Sequence, residues 1–318
     1  MLEIIQRLRE KAGLGFYLRP QTYEVSLEVV LANICMFSRD YAVLVPLPRE
    51  SRNQRITKGP EIFPKTVSIQ YDREFNNPYV VFTGNSVSKE SFIFRVNFEV
   101  AVDRSEVRRR QTFITSDYAR LDRALFDQWT ASSEHIDIRD TRIISLANEV
   151  KKGASDVYGV LANINEYIIS HLRYGEPIAG LYSVDQTLTK TVVDCGGFDV
   201  LFIALARACG IPARLVSGYW AGYGTNTMHA WAEALLPDGE WLPADPSVEQ
   251  LTRGGRTLKG GRLGFIGSNR LIFSYGTDIP IVVDGKTMTL PLLQNPVLVF
   301  PETLEDFSLT YTVKTKRL

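Results

Sequence analysis

The chain has 318 residues, 45% of them hydrophobic and 23% charged, with Lys plus Arg equal to Asp plus Glu at 36 each. This is a globular composition that excludes general disorder, and its length favours two domains over one core. A balanced charge offers no overall field to phosphate backbones or anionic lipid, so nucleic acid is not an expected partner.

Residues 2–12 place apolar side chains at helical spacing before Gly13 and read as a short amphipathic helix. They lack the uninterrupted apolar stretch of a secretory signal. The longest apolar run, 200–211, is interrupted by Arg207 and is too short to span a bilayer, so no membrane insertion is expected. Cys35, Cys195 and Cys209 are too few for a disulfide scaffold, and a reducing, cytoplasmic location fits them.

From residue 22 the period changes to two. Tyr23, Val25, Leu27, Val29 and Leu31 alternate with polar residues, and similar runs follow at 41–47, 66–71, 79–83 and 92–102. Short strands separated by Pro, Asn and Gly predict a β-sandwich. Helical spacing then takes over at 119–129, 142–152 and 156–172. The expected organisation is an N-terminal helix at 1–18, a β-sandwich domain at 19–115, a helical linker at 116–140, a core at 141–280 and C-terminal strands at 281–318.

The segment TVVDCGGFDVLFIALARACGIP holds the first candidate for chemistry. Val200, Leu201, Ala204, Leu205 and Ala208 keep helical spacing, and Gly210 and Pro212 end the run. Cys195 therefore stands at a helix start with Asp194 as N-cap, where free N–H groups are expected to lower the thiol pKa. Gly196 and Gly197 remove bulk beside the sulfur and leave backbone donors for an oxyanion. Cys35 and Cys209, in contrast, read as structural cysteines.

His229 lies in the alternating run MHAWAEALL, sharing a face with Trp231 and Glu233; the turn Pro237-Asp238-Gly239 and the strand EWLPADPS follow. A three-residue loop of this kind pairs Leu236 with Glu240, and so Trp231 with Asp245. Asp245 then becomes a diagonal neighbour of His229 on the same face, within bridging reach. The expected roles are Cys195 as nucleophile, His229 as base and then acid, and Asp245 as the group that fixes the imidazole tautomer. Trp231 and Trp241 are candidates for shielding the pair, with plain packing as their simpler role. His229 and Glu233 are too far apart on a strand to converge on a metal, and no metal or other cofactor is expected. His135, in a polar linker, and His171, at a helix end, read as non-catalytic.

Cys195 with Phe198 three residues on, ALARACGIPARLVSGYW at 204–220, HAWAE at 229–233 and W-x-x-x-D-P from Trp241 to Pro246 together resemble the transglutaminase-like superfamily. Order and spacing agree, with 34 residues from Cys to His and 16 more to Asp. The family often has Gly two residues before the cysteine, where this chain has Val193. The resemblance, of prokaryotic type, implies an α+β fold: a papain-like core whose cysteine-bearing helix packs on an antiparallel sheet, preceded here by the β-sandwich. It also implies a thioester formed from an amide of a protein or peptide, resolved by water in a peptidase or amidase, or by an amine in a transglutaminase. Tyr174 and Gln186 are polar candidates for oxyanion or substrate contacts, beside Gly196 and Trp231. The competing expectation is a non-catalytic protein-binding scaffold on the same fold. The oligomeric state is not encoded in any of these features.

Overall fold

The computed structural model describes residues 16–65, 68–109, 111–257, 259–299 and 304–318. The expected helix at 2–12 lies outside them, as do the first two residues of the strand expected at 66–71. The fold is α+β, with a β-rich N-terminal region ahead of a helix-covered sheet.

Two four-stranded sheets form the β-rich region. One runs in the order Phe307–Arg317, Gln21–Asn33, Ser91–Val102, Gln54–Phe63; the other runs Val297–Leu298, Arg39–Pro46, Pro78–Ser86, Gln70–Tyr71. Tyr23, Val25, Leu27, Val29 and Leu31 are all buried, as a period of two requires. The strand Gln54–Phe63 is an addition to the sequence reading. It is mostly exposed, its pairing shifts register between Lys58 and Glu61, and its Gly59-Pro60 pair disguises it. The C-terminal strand Phe307–Arg317 pairs with residues 23–33 of the first strand and so completes the first sheet.

Among the helices, the one expected at 119–129 begins only at Arg123, because Asp122 takes the cap position and accepts from the Leu125 N–H at 3.0 Å. Thr115–Arg120 is a separate 3₁₀ turn. Thr141–Val150 and Val157–His171 follow the expected spacing, each capped by the aspartate before it. Cys35 lies beyond the end of the strand Gln21–Asn33. It sits half-buried in a bend whose Phe37 N–H donates to its sulfur.

The central sheet has the order Trp241–Ala244, Met228–Leu235, Ala213–Trp220, Arg270–Tyr275. Ala213, Leu215, Ala230, Ala232, Ala234 and Ala244 belong to the core under the cysteine helix, Cys195–Ala208. These small side chains let the helix come close, and Phe198, Leu201, Phe202 and Leu205 fill the space. Each such Leu or Phe removed from water contributes about 1.5–3 kcal/mol. The opposite face carries Val216, Trp231, Ile272 and Tyr275, while Tyr219, Leu271 and Phe273 enter the core of the β-rich region. Gly218 is dictated by backbone contact: a Cβ there would lie 1.7 Å from the Leu271 carbonyl oxygen, at the shift in pairing between these two strands.

Candidate active site

Asp194 starts the cysteine helix as predicted. One carboxylate oxygen accepts from the Gly197 N–H at 3.3 Å and the other from the Ile178 N–H at 3.2 Å. At the far end, the N–H groups of Gly210 and Ile211 reach back to Arg207 and Ala206 in a Schellman arrangement. Gly196 and Gly197 are required by packing, since a Cβ would meet Leu181 at 2.9 Å or Val193 at 2.7 Å respectively. Val193, where the family often has glycine, is fully buried. Its strand Val192–Val193 pairs in parallel with Arg173–Tyr174, which brings Tyr174 to the mouth of the cysteine loop.

The hairpin carries the other two residues in the register its loop length predicts. Leu236 N–H donates to Glu240 O at 2.8 Å, and Ala232 faces Ala244. His229 Nε2 therefore meets Asp245 Oδ2 at 2.8 Å, with both side chains buried. Asp245 also begins the helix Pro246–Arg253: its Oδ1 accepts from the Val248 N–H and the Ser247 hydroxyl, each at 3.1 Å. One oxygen caps the helix and the other holds the imidazole. The Ala230 backbone N–H, next to His229 in the strand, pulls the Cys195 thiol pKa down and so faces the sulfur.

Electrostatics correct one expectation. The helix start does not leave Cys195 with a lowered pKa: burial, then the Asp194 and Asp199 carboxyls, push the thiol well up, against the pull of the Ala230 N–H. Burial likewise pushes His229 down, against Asp245. Burial works to raise Asp245, but His229 and Arg270 outweigh it and hold the carboxyl below its ordinary range. The resting pair is thus a neutral thiol and a neutral imidazole beside an ionised carboxylate. A carboxylate on Nε2 fixes the proton there and leaves Nδ1 as the basic nitrogen.

Several neighbours were not read from the sequence. Arg270 Nη2 donates to Asp245 Oδ2 at 2.7 Å and to Gly260 O at 2.7 Å, and its guanidinium lies 4.0 Å from the Trp220 ring centre. Trp220 stacks on His229 at 4.4 Å. Gln294 donates to the His229 carbonyl at 3.0 Å from the C-terminal segment. Asp199, one turn beyond Cys195, is fully buried with neither carboxyl oxygen hydrogen-bonded. The closing Trp of SGYW and the Asp of CGGFD were the local signals for Trp220 and Asp199; Arg270 and Gln294 come from distant segments.

The remaining candidates divide. Burial is the main cause that pushes the Tyr174 phenol up, and its ring lies 6.4 Å from that of Phe198 on the cysteine helix. Gln186 is not brought to the site: it is exposed, and its side chain accepts from the Ser183 N–H in a capping box. The Gly196 N–H pulls the Asp194 carboxyl down against its burial. Trp231 lies 6.1 Å from the imidazole but is buried in the core, and Trp241 stacks on the Arg214 guanidinium at 3.7 Å. His135 pairs with Asp278 and His171 stacks on Tyr167, both away from Cys195 on other elements. Among the described residues no His/Cys/Asp/Glu cluster could hold a metal, and no helix is long and apolar enough to cross a membrane.

Residues 144–246 match the family model of the Transglutaminase-like superfamily, and the chain carries a transglutaminase-like domain there. A stretch of 145 residues is 24% identical to YebA of Bacillus subtilis (strain 168); it covers 38% of this chain and only 20% of that protein. The fold is similar to that of a candidate cysteine protease from Cytophaga hutchinsonii, with a TM-score of 0.65 and 15% identity over 94% of this chain and 91% of the other. The periplasmic domain of TgpA from Pseudomonas aeruginosa is more distant, at a TM-score of 0.40 and 15% identity over 79% of this chain and 95% of that one.

Proposed function

We propose that this protein is a cysteine-dependent acyl-transfer enzyme that opens an amide of a protein or peptide through a thioester on Cys195. The observation that carries the reading is the buried 2.8 Å hydrogen bond between His229 and Asp245, on a strand whose alanine face packs under the helix that Cys195 begins. Nδ1 of His229 takes the thiol proton as sulfur attacks the carbonyl carbon. The tetrahedral intermediate collapses, the C–N bond breaks, and the amine leaves with the proton from Nδ1. Water, deprotonated by Nδ1, then attacks the thioester and releases the acid and the thiol. Asp245 stabilises the imidazolium formed in each half.

Water is the favoured acceptor, and the fold shared with a candidate cysteine protease supports that branch. An amine acceptor would make the same site a transglutaminase. Three free cysteines are consistent with a reducing, cytoplasmic setting as part of this proposal. The test is mass spectrometry of the protein mixed with a peptide library and a tagged amine. Cleaved peptides, absent with Cys195→Ala, are the expected result; intact peptides without amine adducts would overturn the reading.

A further inference from the structure

Lys259 has an unusual environment. It is half-buried, and among the described residues no carboxylate pairs with it, while the like charge of Arg270 acts on it. Two aromatic rings hold its ammonium instead: Nζ lies 4.6 Å from the centre of Trp220 and 4.4 Å from that of Tyr223. The two rings meet edge to face at 5.8 Å. This is the geometry of a cation–π cage, whose attraction grows as water is excluded.

The cage is built rather than incidental. Asn269 Nδ2 donates to the Tyr223 hydroxyl at 3.0 Å and to the Lys259 carbonyl at 3.1 Å, tying the wall to the loop that enters it. Gly260 follows at φ +68°, where a Cβ would lie 2.7 Å from the Tyr17 ring. The loop can pass only with glycine there. Phe16 extends the aromatic wall, 6.1 Å from Tyr223.

Its position gives it a function. The Trp220 indole that contacts the ammonium is the ring stacked on His229. We propose that Trp220 and Tyr223 form a subsite for a primary alkylammonium group on the ring that stacks on His229, and that Lys259 is its internal occupant. The subsite deepens the acyl-transfer reading and rests on it only for its role in turnover. Burial, then Arg270, pushes the Lys259 amine pKa down.

Binding is measured first, independently of turnover, with n-pentylamine as the probe on the full chain by calorimetry. Lys259→Ala is expected to bind the amine about tenfold more tightly than wild type, the scale of one partly desolvated cation–π contact. Lys259→Arg, which restores a cation, should bind as weakly as wild type, and adding Tyr223→Leu to Lys259→Ala should remove the gain. Equal affinity in wild type and Lys259→Ala, or the same gain for pentanoate, overturns the subsite. Two sources of the ammonium are then separated in the active protein. Amine incorporated into product marks an acyl acceptor, while competitive inhibition of cleavage without incorporation marks a side chain of the peptide substrate. Failure of Cys195 to acylate at all would sink the enzymatic reading and leave the binding result intact.

Discussion

Arg270 Nη2 donates to Asp245 Oδ2 at 2.7 Å, and that oxygen is the one that also holds His229. Two donors on one buried oxygen keep the carboxylate ionised and fix the direction in which the imidazole points. The Arg270 guanidinium also lies against Trp220, the ring stacked on His229, so one side chain supports the imidazole by two routes.

Arg270→Met should therefore destabilise the fold by about 3–5 kcal/mol, because it leaves a buried carboxylate short of its cationic partner. Urea denaturation measures this. Arg270 also pushes the His229 pKa down, so its loss should move the acid limb of kcat/KM to higher pH. A lower stability with an unmoved limb would reduce Arg270 to a structural role.

Asp245→Asn should lower kcat by about 10³–10⁴-fold, since an amide can favour the wrong imidazole tautomer without disturbing the packing. Steady-state hydrolysis by a variant with unchanged circular dichroism checks it. Activity within tenfold of wild type would contradict the assigned role.

The raised thiol and lowered imidazole predict an alkylation profile. Iodoacetamide labelling of Cys195 should be slow at neutral pH and rise only above the ordinary thiol range near 8.5. Peptide turnover should already be established below pH 6.5, because His229 stays a free base there. Stability follows the same sign. The folded protein binds fewer protons at His229 than the unfolded chain, so this contribution is present above the unfolded value and lost as pH falls through the folded one.

Asp199 carries the opposite sign. Burial, then Asp245 and Asp194, push its carboxyl well up, so the folded state keeps a proton that the unfolded chain releases. Its contribution to stability is lost as pH rises from the ordinary carboxylate range. Asp199→Asn removes that titration and should gain about 1–3 kcal/mol over wild type at neutral pH, the scale of one unpaired buried polar group. Denaturation midpoints at pH 4 and pH 8 test it: the gain must grow with pH, and a gain independent of pH would refute the cause.

Much of the site was legible because its signals are local. A cap residue, helical spacing and a glycine stop define the cysteine helix within one segment. The three-residue loop sets the register that brings Asp245 to His229, since a strand alternates faces and a slip of one residue would turn Asp245 away. The expected lowering of the Cys195 pKa was not met: burial, which only the packed elements create, is the largest cause, and the Asp194 and Asp199 carboxyls of the same helix add to it.

The sequence by itself determined the strand faces, the cysteine helix and the His–Asp pairing, all products of spacing along one stretch of backbone. Tertiary structure alone decided what surrounds them: Arg270 on Asp245, Trp220 on His229, Lys259 in its cage, and the C-terminal strand on the first sheet. Trp220 and His229 sit on neighbouring paired strands, and the other contacts join segments far apart in the chain. No periodicity encodes them, because they arise only when packed elements bring distant side chains to the same few ångströms.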